Sequence, residues 1–113
     1  MPRASILVLT QMPDQASAET LARALVEARL AACVSIGASV SSLYHWRGKI
    51  EMASEVPVVV KTVRDAYPAV EAAIRSRHPY ELPEIIAVPV IDGLPGYLDW
   101  IDAETRRGGA LEA

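Results

Sequence analysis

The sequence predicts an α+β domain of order β-α-β-β-α-β with one further helix, and three observations carry that reading. Apolar residues recur at helical spacing in two separate stretches, near 17–28 and 66–77. Between them a long stretch, 33–62, alternates with period two on either side of an Arg47-Gly48-Lys49 turn. Two short runs, 6–9 and 85–91, are continuously apolar, as strands covered on both faces must be.

The first strand is expected from about Ala4 to Met12, ended by the Pro13-Asp14 turn. A helix follows with Ser17 as its cap. Ala18, Leu21, Ala22, Leu25 and Ala28 form its packed face, and Glu19, Arg23 and Glu27 form an outer ladder. From Cys33 the period becomes two, with Val34, Ile36, Ala38, Val40, Tyr44 and Trp46 sharing one face of an overlong strand that Gly37 is placed to bulge. The return strand runs from Ile50 to Thr62. Pro57 cannot donate to a ladder, so the hairpin must be at an edge or irregular there.

A second helix is expected from Ala66 to Arg77, with Pro68 in its first turn, Val70, Ala73 and Ile74 inward, and Glu71 paired with Arg75 outside. Pro79 keeps His78 out of the helical region and stops it. The strand Ile85–Ile91, a loop at 92–96, a short helix from Tyr97 to Thr105 and a frayed tail at 106–113 complete the chain. This order is the split βαβ pattern of ferredoxin-like domains. In it the last strand lies at a sheet edge, which tolerates Pro89 but leaves an apolar edge to be covered. A hairpin as long as 33–62 overhangs a small sheet, and a neighbouring subunit is the natural place for it.

At 113 residues the chain is one domain. Half of it is hydrophobic with no Phe, so Val, Ile, Leu and Ala must build the core. A net charge of -3 without a basic stripe argues against nucleic acid as a partner. The single cysteine, Cys33, forms no internal disulfide, which fits the cytoplasm. The run at 6–9 is shorter than a signal-peptide core, and no run approaches the ~18–20 residues that span a bilayer, so no membrane role is expected.

Four strings, in order and across 6–100, resemble the CutA family of divalent-cation tolerance proteins: Leu30-Ala31-Ala32-Cys33-Val34, Leu43-Tyr44-His45-Trp46-Arg47-Gly48-Lys49, Val60-Lys61-Thr62, and His78-Pro79-Tyr80-Glu81-Leu82-Pro83-Glu84. The resemblance implies a homotrimer similar in architecture to PII signalling proteins, and an association with tolerance to copper and other divalent cations. Family members discussed as copper binders carry further cysteines, where this chain has Thr10 and Ala73. Coordination by several thiols of one subunit is therefore not open to it.

The polar chemistry is concentrated at the corner 78–84. Cys33, His78 and Glu81 are the candidate metal ligands, since a thiolate, an imidazole and a carboxylate together suit copper or zinc better than magnesium. Lys61, Tyr80 and Glu84 are the candidates for holding a small anionic effector beside them. Each also has a structural reading, which is the commoner one: Cys33 as a small hydrophobe, His78 as a helix-end partner, the carboxylates as solvated or ion-paired groups, Lys61 as the mate of one of them. Tyr44, Trp46, Tyr80 and Trp100 read as core or subunit-interface anchors. No GxSxG, P-loop, HExxH or dinucleotide fingerprint is present, so a binding protein is expected rather than an enzyme.

Overall fold

The computed structural model describes residues 2–107. Its elements are β1 (Ser5–Met12), α1 (Gln15–Glu27), β2 (Cys33–Ile36), β3 (Val40–Trp46), β4 (Lys49–Val63), α2 (Tyr67–Arg77), β5 (Ile85–Pro89) and α3 (Pro95–Glu104), with a 3-10 turn at Arg64–Ala66. The sheet runs β2-β4-β1-β5, every neighbour antiparallel, and β3 pairs the first half of β4. Two antiparallel steps separate β1 from β2 and β4 from β5, so each of those pairs is parallel and bridged by a helix. That is the ferredoxin-like fold the element order predicts.

One cluster forms the core. Val8, Val58 and Val60 from the sheet meet Leu21 and Leu25 of α1 and Val70 and Ile74 of α2, all at most 1 % exposed. Directly opposed residues share a face, so the row Cys33–Lys61–Leu7–Val88 and the row Ser35–Val59–Leu9–Ile86 point to the other side. There Leu7, Leu9 and Val59 are half-buried, while Val88 is 38 % and Ile86 51 % exposed.

Several details differ from the expectations. Helix α1 is capped by Asp14, whose Oδ1 accepts the N–H of Ser17 at 2.8 Å; Ser17 lies inside the first turn and its hydroxyl donates back to the Asp14 carbonyl. The Asp14 carboxyl is held below the ordinary range by that backbone N–H. Glu71 accepts from the Tyr67 hydroxyl at 3.1 Å instead of pairing with Arg75. Arg106, expected to be frayed, donates its N–H to the Arg29 carbonyl at 2.8 Å, and the remaining tail, 108–113, lies outside the described residues. Arg3 holds the same end of the chain. Its guanidinium pairs with Asp102 and donates to the carbonyls of Asp102, Thr105 and Arg106 at 2.9, 2.7 and 3.1 Å, which satisfies carbonyls the end of α3 leaves free.

The long hairpin is real, but its first strand is broken at 37–39. Ile36 opposes Val58 and Val40 opposes Glu55, so residues 37–39 stand against 56–57 with one residue extra. The bulge exchanges the faces. Val34 and Ile36 point toward the helices, whereas Tyr44 and Trp46 fall on the opposite side and Leu43 and His45 take the helix side. Beyond the bulge, β3 and the start of β4 project as an arm, giving the molecule extents of 47 × 30 × 23 Å. On that arm Leu43, Ile50 and Met52 are 67–69 % exposed. The far edge of the sheet, β5, tolerates Pro89 for a simple reason. Val90 donates inward to the Ser5 carbonyl, so its neighbour Pro89 directs its donor-less nitrogen outward. Among the described residues no helix is long and apolar enough to cross a membrane.

Candidate functional site

Helix α2 ends because Pro79 forces extended backbone on His78, at φ -93 and ψ 131. The imidazole is thereby turned back toward β1. Its Nε2 lies 2.5 Å from the Gln11 carbonyl oxygen, which can only accept, and its Nδ1 takes the N–H of Tyr80 at 3.3 Å, which can only donate. Both contacts are hydrogen bonds when Nε2 carries the proton and Nδ1 the lone pair. Both nitrogens are in use, and ligation through the one lone pair, on Nδ1, requires the Tyr80 bond to break.

Tyr80 stacks its ring on His78, centroids 4.5 Å apart and tilted by 57°. Its hydroxyl faces the arm. Burial, then the charge and hydrogen bond of Glu55, then Tyr44, raise its pKa above the usual phenol value. One residue on, Glu81 Oε1 meets Arg47 at 3.0 Å, and the Arg47 guanidinium lies 5.4 Å from the centroid of the Trp46 ring. The corner thus meets the arm of its own chain through the exposed Arg47–Glu81 pair, with the Glu55 charge near Tyr80. Glu84 is exposed and makes no ion pair or hydrogen bond among the described residues.

Cys33 and Lys61 belong to a different neighbourhood. They oppose each other across β2 and β4, half-buried on the face away from α1 and α2, in the row that continues through Leu7. His78 docks at Gln11, four residues further along β1, which is roughly 13 Å at the rise of a strand. The structure brings His78, Tyr80 and Glu81 together and leaves Cys33 and Lys61 apart. Among the described residues, no three His, Cys, Asp or Glu side chains gather as a metal centre would need. The described residues of one chain alone do not supply the donor set a metal ion needs. Lys61 likewise makes no ion pair among the described residues, rather than pairing with a corner carboxylate.

Sequence reasoning missed Gln11, Glu55 and Arg47 as parts of this corner. Gln11 serves through its backbone carbonyl, which no side-chain pattern can announce. Glu55 and Arg47 lie on the arm, at positions that no local pattern ties to the corner. The aromatic anchors are less buried than core residues: Tyr44 is 43 %, Trp100 41 % and Tyr80 36 % exposed.

The model of the CutA1 divalent ion tolerance protein family matches residues 6–104. The divalent-cation tolerance protein CutA of Thermus thermophilus is 41% identical over 99 residues, covering 88% of this chain and 96% of that protein. Protein CutA of Mus musculus is 47% identical over 94 residues, 83% of this chain, and the match spans only 53% of the mouse protein's length. The crystal structure of CutA1 from Oryza sativa superposes with a TM-score of 0.92 at 32% identity, covering 95% of this chain and 98% of that one. With the family model matching nearly the whole described chain and its fold shared with a solved member, the chain belongs to the CutA1 divalent ion tolerance family.

Proposed function

We propose that the protein acts in divalent-cation tolerance as a homotrimer, similar in architecture to PII proteins, that binds copper or another divalent cation weakly in clefts between subunits. The observation that carries this reading is the pair of uncovered apolar surfaces on one small chain. Ile86 and Val88 lie open on the edge strand, and Leu43, Ile50 and Met52 lie open on an arm that projects past its own sheet. Each is a liability in a lone chain, and each is apolar surface of the kind the other could bury.

The separation within one chain of Cys33 from His78 and Glu81 supports placing the ligands on different subunits, because only a neighbour can bring such groups within bonding distance. A cation would also have to displace the Tyr80 N–H from His78 and Arg47 from Glu81, which supports weak binding. A second reading, a signalling trimer that binds a small anionic effector, is favoured by Lys61, a cation on the sheet's open face without an ion pair among the described residues. In that reading Tyr80 and Glu84 supply the polar rim.

Light scattering from micromolar to nanomolar protein, followed by calorimetric titration with copper, zinc and inorganic phosphate, tests both. A trimer that takes up copper or zinc supports the first reading, and a trimer that binds only phosphate supports the second. A folded monomer at micromolar concentration overturns both.

A further inference from the structure

We draw no further inference here: the strongest candidate, the cleft of about 370 Å³ between the outer edge of β5 and the first turn of α2, walled by Ile6, Pro68, Ala87 and Pro89 with Arg64 and Tyr67 beside them, carries nothing because nothing in the structure shows what covers it apart from the self-assembly already proposed.

Discussion

The backbone N–H of Gly37 donates to the carbonyl of Pro57 at 2.9 Å, and a Cβ added to Gly37 would stand 2.9 Å from Pro57 Cγ. The two residues fix where the long hairpin bends. In an antiparallel ladder a residue's N–H and C=O point to the same side, so the donor that Pro57 lacks would also have faced the partner strand. The register step falls at that point, and the Gly37 carbonyl accepts the Gln15 side-chain amide N–H at 3.1 Å instead.

Gly37→Ala is therefore expected to cost about 1–3 kcal/mol, the usual penalty for forcing a methyl into filled space. The check is the urea midpoint at fixed protein concentration, repeated in a Pro57→Ala background where the ring is gone. The penalty should shrink there. An equal penalty in both backgrounds would show that the ring contact is not its cause.

Arg3 and Asp102 supply a second expectation. Each side chain is 13 % exposed, and Arg3 also holds carbonyls at the end of α3, so Arg3→Ala should cost about 1.5–3 kcal/mol as hydrogen bonds to a charged group are lost. The hydrogen bond from Arg3 holds the Asp102 carboxyl below its ordinary pKa. A lowered pKa gives stability that is fully present above the unfolded value and is lost as pH falls through the folded one. Stability should drop below about pH 4 in the parent, and Asp102→Asn should flatten that acid limb. An unchanged acid limb in the variant would refute the assignment.

Tyr80 has the opposite sign. Its pKa is raised, chiefly by burial and then by Glu55, so its contribution is full below the ordinary phenol pKa of about 10 and is lost as pH rises through the folded value. Tyr67, raised by burial and by Glu71, adds a second alkaline limb. Tyr80→Phe and Tyr67→Phe should each remove part of the stability loss seen by thermal melts at high pH. If neither changes the alkaline limb, the two hydroxyls are not its source.

The elements were legible in the sequence because each rests on a local cause. Pro79 stops α2, the Arg47-Gly48-Lys49 turn sets the hairpin, and the apolar faces of α1 and α2 have no other place to go. Gly37 and Pro57 each announced irregularity separately. What single residues could not announce was that the two face each other, and with that the exchange of faces that sends Tyr44 toward Tyr80. The cap was misplaced because Asp14 and Ser17 bond reciprocally, so either reads as a cap from the sequence alone. At the site, His78 was identifiable as a helix end. Its partners were not, since both are backbone groups that every residue offers.

Copper bound at neutral pH is expected to depend on Cys33 or His78, the one thiol and the imidazole at the corner, with His45 on the exposed arm as the competitor. Cys33→Ser should weaken copper uptake without altering the fold. His78→Ala should weaken it and also lower stability by about 1 kcal/mol through the lost bond to Gln11. Calorimetric stoichiometry is the readout. Parental binding in both variants would move the site to His45 or elsewhere.

The last expectation concerns Val88, which sits opposite Leu7 in the row that ends at Lys61 and Cys33. Its side chain is on the sheet face that α1 and α2 leave open, and it is 38 % exposed in one chain. If a neighbour's arm covers this edge, an obligate interface, commonly roughly 2,000 Å² or more, buries far more apolar surface than the marginal net stability of a lone domain, ~5–15 kcal/mol, could forgo. Most of the molecule's resistance to unfolding would then lie between subunits. Val88→Lys places a charge in that contact, and it should convert the proposed trimer into dissociated, destabilised chains by light scattering and make the melting temperature depend on protein concentration. Ala28→Lys, exposed at the C-terminal end of α1 and outside both proposed contact surfaces, controls for the added charge alone. A parent that is already a folded monomer, or a Val88→Lys protein that assembles as the parent does, would remove β5 from the interface and with it the placement of any cation between subunits.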